Sequence, residues 1–287
     1  MKRSLPLEES PALLTRYLQE SPPTGNGPRD WDAFKQNARD AYKDLVDRLV
    51  ARQRGLCAFC EIHLLAPRSA DDREVEHWHP KQDSDVHKDW TFDIANLHAS
   101  CTGGSRVHYM PENSTLEEQG ALEAHYGDPF PRPNRSCGSF KGGTRPNAQA
   151  DLDRQPLRPG DLPETPCLFH IDSDGVIRPD GSACGHANIP VSRVQATISF
   201  LNLDCTRLRH ARAATYGYLE QLLQEKLVAL TDDLAALDEL ASEVISLDER
   251  KRLPEFLTTI RIFIGPAADR RLHDIPDWAA APVGPQL

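Results

Sequence analysis

The chain has 287 residues, of which 39% are hydrophobic and 26% are charged, and its net charge is −10. These proportions indicate a soluble globular protein and exclude wholesale disorder, and no apolar run approaches the roughly 20 residues that cross a bilayer. Because phosphate neutralisation drives nucleic-acid binding, an acidic chain that binds nucleic acid needs either clustered basic groups or a partner that holds the substrate.

The first segment, 1–55, is predicted to be helical. Its apolar residues recur at three- and four-residue spacing and form one face: Trp31, Phe34, Ala38, Ala41, Leu45 and Leu49. We expect one helix across this face, and Gly55 is a plausible stop for it. The charged start of the chain lacks the apolar stretch of a secretory signal, so we expect a cytoplasmic protein.

The second segment, 56–145, is rich in Cys, His, Gly and Asn, so we expect a metal to replace a large core. The odd total of seven Cys disfavours a closed disulfide framework. Cys57 and Cys60 have metal-ligand spacing, and Cys101 and Cys137 lie in polar turns that contain Gly. We expect these four to bind a structural zinc, with free thiols as the alternative. Three further Cys are expected to be buried thiols: Cys167, Cys184 and Cys205.

An acidic residue and a histidine lie side by side between these Cys, as Glu76-His77 on a short strand that ends at Pro80. Phosphodiester hydrolysis needs an activated water, neutralised phosphate charge and help for the leaving oxygen. A neutral His can accept the proton of water, a carboxylate suits Mg²⁺, and Lys141 could hold phosphate charge. The alternatives are a structural His, a solvated carboxylate and a surface Lys.

The order of residues from Cys57 to Lys141 resembles the HNH (ββα-metal) endonuclease family. The resemblance implies an α+β fold with a zinc-stapled ββα-metal core, with Cys57, Cys60, Cys101 and Cys137 as zinc ligands. It implies that His77 is the general base, that Glu76 binds a catalytic Mg²⁺ or Mn²⁺, and that Asn96 orients the loop and the base. Independently of the resemblance, the positive charge of Lys141, together with Lys81 or Arg106, suits it to hold phosphate.

One position departs from this family pattern. Gly138 stands where the family commonly has a His, Asn or Asp ligand just after the last Cys. The second ligand of the catalytic metal is therefore unassigned. The candidates to replace it are His79, His98, His108, Asn113 and Asp128.

Features over nearly the whole length resemble the HNH proteins of Septu-type and retron-linked anti-phage defence. They are Gly55–Glu61, Val75–Lys81, Asn96-Leu97, Cys101, Cys137 with Lys141, and Ile198-x-x-Leu201-Asn202-Leu203. This resemblance implies a nucleic-acid substrate, either DNA or RNA, and an ATPase partner of the structural-maintenance type. No membrane is implied.

The third segment, 146–287, is predicted to hold a Pro- and Asp-rich linker over 146–166, then a hairpin and helices. Asp174-Gly175 between apolar residues indicates the hairpin turn. We expect helix from Ser192 onward, then a long helix capped by Asp204 or Thr206 that runs to about Leu230. One or two more helices are expected to about 265. The run Arg207–Arg212 predicts a solvated helix face or a basic face for nucleic acid or a partner.

Two classes of function fit these residues. The first is a metal-dependent nuclease, favoured by the Glu76–His77 pair. The second is a catalytically weak zinc-stapled module that docks the ATPase or nucleic acid, favoured by Gly138. A zinc-ribbon transcription factor is disfavoured by the acidic charge and by the lack of an Arg-rich recognition helix.

Overall fold

The computed structural model describes residues 1–64, 73–82, 89–105, 130–142, 152–230 and 232–281, and these form a mixed α+β fold. The helices are α1 (Ala12–Glu20), α2 (Gly27–Asn37), α3 (Arg39–Arg52), α4 (Cys137–Lys141), α5 (Gly181–His186), α6 (Val191–Leu201), α7 (Thr206–Ala229), α8 (Asp233–Val244), α9 (Leu257–Ile264) and α10 (Pro266–His273). The strands are β1 (Arg73–His77), β2 (Leu97–Cys101), β3 (Phe169–Ile171) and β4 (Ile177–Pro179). This arrangement confirms helices at the start of the chain and a hairpin with helices towards its end.

The expectation of one helix from Trp31 to Leu49 is wrong, because the backbone breaks at Ala38 between α2 and α3. Eight residues of a straight helix rise about 12 Å, yet the rings of Phe34 and Tyr42 lie 6.0 Å apart. The break folds Tyr42 back against Phe34 and Trp31, so that both helices bury their apolar residues in one core. The helix α3 ends at Arg52, and Gly55 follows it with a positive φ of 78°, as a helix stop would.

The strands β1 and β2 pair antiparallel, with Glu76 opposite His98 and His77 opposite Leu97. Every residue of β2 is buried. Gln53, just after α3, holds β2 through two hydrogen bonds. Its side-chain amide donates to the carbonyl of Ala99 and accepts from the N–H of Ala99, both at 2.8 Å. The short helix α4 packs against β2 and α6. The two strands and α4 are thereby held between the N-terminal and the C-terminal helices.

One hydrophobic cluster draws residues from all three segments, including Phe34, Leu97, Leu157 and Leu201. The division into 1–55, 56–145 and 146–287 stays a prediction. Residues 152–166 are not a free linker, because Leu157 and Leu162 are buried and the N–H of Leu157 donates to Thr197 at 2.7 Å. The sequence pattern missed this packing because two buried leucines among many Pro and Asp have no periodicity.

The strands β3 and β4 form the predicted hairpin, and Gly175 lies in its turn with a φ of 73°. Neither expected residue caps α7: the residue before the helix is Cys205, with no side-chain cap, and Thr206 is already helical. Asp204 instead binds Arg209 and accepts the N–H of Ile177. A second apolar cluster joins α7 to α8, α9 and α10. None of the helices in the described ranges is long and apolar enough to span a membrane.

Candidate active site and metal centre

Four cysteine sulfurs meet in one buried cluster, as the sequence predicted. The sulfurs of Cys57, Cys60, Cys101 and Cys137 all lie within 4.8 Å of one another. The separations are 3.9 Å for Cys57–Cys137, 3.6 Å for Cys60–Cys101 and 3.9 Å for Cys101–Cys137. Zinc–sulfur bonds of about 2.3 Å in a tetrahedron place sulfurs about 3.8 Å apart. The cluster therefore fits a tetrahedral zinc without rearrangement.

Local backbone geometry explains how the four sulfurs meet. The turn from Cys57 to Cys60 closes when the N–H of Glu61 donates to the carbonyl of Cys57, and Glu61 has a positive φ of 67°. Cys101 ends β2, and its N–H donates to the Cys57 sulfur at 3.4 Å. Cys137 begins α4. Burial opposes a charged sulfur, yet hydrogen bonds from the other three thiols hold the pKa of Cys57 well below its usual value. A thiolate is the form that binds metal.

Glu61 anchors this turn to the C-terminal helices. Its buried carboxylate accepts from the N–H of Thr258 at 2.8 Å and from the Thr258 hydroxyl at 2.6 Å, at the start of α9. The N-terminal ammonium of Met1 lies 3.4 Å from the same carboxylate. The metal centre is thus tied to residues about 200 positions away in the chain.

Glu76 is bound by Lys141 and rests against Gly138. The Lys141 ammonium lies 2.6 Å from Glu76 Oε1 and also donates to the carbonyl of His77 at 2.6 Å. The Lys141 side chain is only 1% exposed, so it is not the surface lysine that was one alternative. A Cβ on residue 138 would come 2.8 Å from Glu76 Cδ, so the missing side chain of Gly138 makes room for this carboxylate.

His77 is buried beneath aromatic rings. Its Nε2 lies 2.9 Å from the carbonyl of Thr91, and its ring meets the Trp31 ring edge-on at 4.5 Å. Because a carbonyl only accepts, Nε2 carries the proton and Nδ1 is the nitrogen that can take one up. Burial, together with the charges of Lys81 and Lys141, lowers the pKa of His77 to about 3. The ring is therefore neutral at physiological pH.

Asn96 joins the loop after β1 to the segment before β2. Its Oδ1 accepts from the N–H of His79 at 2.7 Å, and its Nδ2 donates to the carbonyls of His79 and Trp90 at 3.0 and 2.7 Å. The His79 ring stacks on the Trp90 ring, with centroids 4.0 Å apart. These contacts join the backbone just after His77 to the backbone just before Thr91.

A cleft of about 430 Å³ borders the predicted site, and His77 and Lys141 are buried in its wall. Glu76, His77, Lys81, Ser139 and Lys141 are among the residues that line it. The cleft therefore places two lysines, a carboxylate and a histidine beside one space that a substrate can enter. Arg106, the third predicted phosphate-binding cation, lies outside the described residues.

The chain is similar to a protein that is named as an HNH endonuclease. No family model matches the chain. Over 210 residues the chain is 28% identical to the "Retron Ec83 putative HNH endonuclease" of Escherichia coli, an alignment that covers 68% of this chain and 74% of that protein. This similarity supports the HNH family. It also supports a nuclease activity and, with it, a nucleic-acid substrate.

Glu76, the expected ligand of a catalytic divalent ion, already has its Oε1 bound by Lys141. Of the described side chains, only the four cysteines form a group of three or more His, Cys, Asp or Glu that could share an ion. His98 lies opposite Glu76 on β2, and its buried Nε2 has no hydrogen-bond partner in the described ranges. The other candidate ligands His108, Asn113 and Asp128 lie outside those ranges.

The Arg207–Arg212 run is not a simple solvated or basic face. Arg212 is buried and donates to the carbonyls of Gly175 and Leu203 at 2.7 and 2.9 Å. Arg207 points towards the cysteine cluster and donates to Ser136 at 2.7 Å. Of the predicted buried thiols, Cys184 and Cys205 are buried and Cys167 is partly buried.

Two residues, Thr91 and Trp31, were not recognised from the sequence as part of the site. Thr91 contributes a backbone carbonyl, which no side-chain pattern can reveal. Trp31 was identified as a core residue but not as the neighbour of His77, because the two are far apart in the chain.

Proposed function

We propose that this chain is a metal-dependent HNH endonuclease that hydrolyses nucleic-acid phosphodiester bonds. The observation that carries the proposal is the single cleft lined by Glu76, His77 and Lys141, built beside a four-cysteine cluster of zinc dimensions. In this reading the zinc is structural, and the β1–β2 pair with α4 is the ββα-metal core.

His77 acts as the general base. The Thr91 carbonyl holds its Nε2–H, so Nδ1 is available to take the proton of an attacking water. A pKa of about 3 keeps the ring in the accepting form but makes it a weak base. Since Lys81 and Lys141 contribute to that low value, the negative charge of a bound phosphate would offset them and raise the basicity of His77.

Lys81 and Lys141 hold the phosphate charge in the cleft, and Asn96 positions the loop that directly follows the base. Glu76 is the ligand that this chain offers to a catalytic Mg²⁺ or Mn²⁺, which when bound would polarise the phosphoryl oxygen and stabilise the leaving oxygen. Lys141 binds Oε1, so Oε2 is the oxygen of Glu76 that an ion would bind while the lysine stays in place.

The biological role that we propose is effector of an anti-phage defence system, beside an ATPase partner of the structural-maintenance type. The retron in the relative's name supports a defence role. The net charge of −10 supports a partner, because a partner could gather the nucleic acid that an acidic chain attracts weakly. We expect the protein to work in the cytoplasm.

The test is cleavage of supercoiled plasmid and of total RNA by the purified chain and by His77→Ala. We expect cleavage to fall by a factor of about 100 or more when the base is removed. The matched control is His170→Ala, because His170 is an exposed His on β3, far along the chain from the site. Equal zinc content in the three proteins shows that the fold is intact. Cleavage by His77→Ala at the wild-type rate would refute the assignment.

A docking module is the second candidate, and the Lys141–Glu76 contact favours it. A carboxylate already neutralised by a buried ammonium has less need of a metal ion. This reading predicts nucleic-acid or ATPase binding that Glu76→Gln and His77→Ala leave unchanged, and no cleavage by the wild-type chain even with the ATPase present.

A further inference from the structure

A zinc ion with four thiolates carries a formal charge of about −2, which is costly to bury unless donors or cations face the sulfurs. Here the four cysteines are all buried. Among the described residues, the backbone N–H of Cys101 lies 3.4 Å from the Cys57 sulfur, and the backbone N–H of Cys60 also donates to it. Both of these donors serve Cys57, and the side chains that face the other sulfurs are the further candidates.

Ser136 is the side chain in contact with the Cys137 sulfur. It is fully buried, and its hydroxyl oxygen lies 3.4 Å from the Cys137 sulfur. A serine hydroxyl has one proton, which it can give to only one acceptor. Whether Ser136 stabilises the sulfur therefore depends on the direction in which that proton points.

Arg207 decides this direction. Its Nη2 lies 2.7 Å from the Ser136 hydroxyl oxygen. A guanidinium has only donors, so the hydroxyl must accept from Arg207 and its own proton is left for the Cys137 sulfur. The positive charge of Arg207 also strengthens the hydroxyl as a donor.

The start of α7 is built to hold Arg207 there. The N–H of Arg207 donates to the side chain of Asn134 at 2.8 Å, and its guanidinium lies 5.8 Å from the ring of Phe130. Asn202, which ends α6 in a left-handed conformation, donates to the carbonyls of Pro133 and Arg135 at 2.9 and 2.7 Å. Asn202 of the Leu201-Asn202-Leu203 motif thus stabilises the turn that leads into Cys137.

We propose that Arg207, through Ser136, is a positioning residue for the zinc centre. It forms a hydrogen-bond relay that ends on the Cys137 sulfur and offsets the negative charge of the zinc–thiolate group. Through Cys137 the relay also fixes α4, which carries Gly138 and Lys141 to Glu76. The inference rests on the structural zinc of the proposed function.

The test is zinc affinity of the full chain, measured by competition with a chromophoric chelator. We expect Arg207→Met and Ser136→Ala each to weaken zinc binding about tenfold to a hundredfold. The double variant should be weaker than wild type by clearly less than the product of the two effects, because both residues act on one sulfur. The matched control Arg209→Met, which loses only the contact with Asp204, should bind zinc as wild type does.

The absorption spectrum of the cobalt-substituted protein tests whether Ser136 and Arg207 act on the Cys137 sulfur or only support the fold. Without its hydrogen bond the Cys137 sulfur is richer in electrons, so the thiolate-to-cobalt charge-transfer band of Ser136→Ala should move to lower energy. Arg207→Lys, which keeps the charge, should restore part of the shift seen in Arg207→Met. Ser136→Ala removes one oxygen atom, so it serves even if Arg207→Met does not fold.

Two outcomes would overturn the inference. An unchanged cobalt band in Ser136→Ala, or strictly multiplicative effects of the two variants on zinc affinity, would show that no relay exists. If wild type binds zinc and only the variants behave unexpectedly, the relay alone is wrong. If wild type binds neither zinc nor cobalt at the cluster, the zinc assignment of the proposed function fails first.

Discussion

Replacing Glu76 by Gln tests the buried ion pair at the centre of the site. The Lys141 ammonium is 1% exposed and the Glu76 side chain is 15% exposed, with 2.6 Å between Nζ and Oε1. Glu76→Gln keeps an acceptor oxygen but removes the negative charge, so the buried ammonium of Lys141 is left with neutral partners, the amide oxygen and the carbonyl of His77. The reverse change, Lys141→Met, leaves an anion that borders the solvent-filled cleft.

The attraction across 2.6 Å is about 6 kcal/mol at an effective dielectric of about 20, before the cost of desolvation. Loss of one partner from a buried pair costs about 3–5 kcal/mol. We therefore expect Glu76→Gln to lower the free energy of unfolding by about 3–5 kcal/mol and Lys141→Met by less, about 1–3 kcal/mol. The double variant should recover part of the loss, because no unpaired charge remains.

Urea denaturation, followed by circular dichroism, measures the free energy of unfolding of the zinc-loaded wild type, the two single variants and the double variant. Glu76→Asp is the matched control, since it keeps the charge and shortens the side chain. The reasoning is refuted if Lys141→Met costs more stability than Glu76→Gln, or if the two single effects are additive in the double variant.

Three further predictions concern packing, pH and metal. Gly138→Ala should lower the melting temperature, whereas the control Ser139→Ala should not. Alanine favours a helix by about 1 kcal/mol over glycine, so a net loss of stability would report the clash of the new Cβ with Glu76. A gain in stability would contradict the clash. Burial lowers the pKa of Lys2 to about 7, far below its value in the unfolded chain. Between about pH 7 and 10 the Lys2 amine is therefore protonated in the unfolded chain but neutral in the folded one. The free energy of unfolding should rise with pH in this range. Between pH 7 and 9 the gain in the free energy of unfolding is about 2 kcal/mol in urea titrations, and Lys2→Met should lack it; equal slopes for the two proteins would contradict the assignment. A strong chelator should lower the melting temperature and expose the four clustered thiols to a thiol reagent, and thiols that react equally before chelation would exclude a bound metal.

The cysteine cluster could be predicted because its signal is chemical. Thiols at two-residue spacing in a polar segment have few other uses, and four of the seven Cys fell in one such segment. The hairpin at Gly175 could be predicted as well, because an Asp-Gly turn between apolar residues depends only on residues that are adjacent in the chain. Both features depend on residues close together in the chain, or on a ligand that only a few residue types can bind.

The contacts that determine the electrostatics of the site could not be predicted from the sequence. Lys141 and Glu76 are 65 positions apart, and Arg207 and Ser136 are 71 apart, so no periodicity connects either pair. Gly138 was read as a missing metal ligand, whereas the structure adds a reason for glycine there: it makes room for Glu76. The break at Ala38 also escaped notice, because tertiary packing of Tyr42 and not a helix-breaking residue causes it.

The measurement that tests the central claim most directly is cleavage of plasmid DNA and total RNA by the purified chain of known zinc content, with and without Mg²⁺ or Mn²⁺. The account predicts about one zinc per chain by plasma mass spectrometry and cleavage of one or both substrates that requires the added divalent ion. A chain that holds no zinc, or a zinc-loaded chain that cuts neither substrate even beside an ATPase of the proposed type, would contradict it.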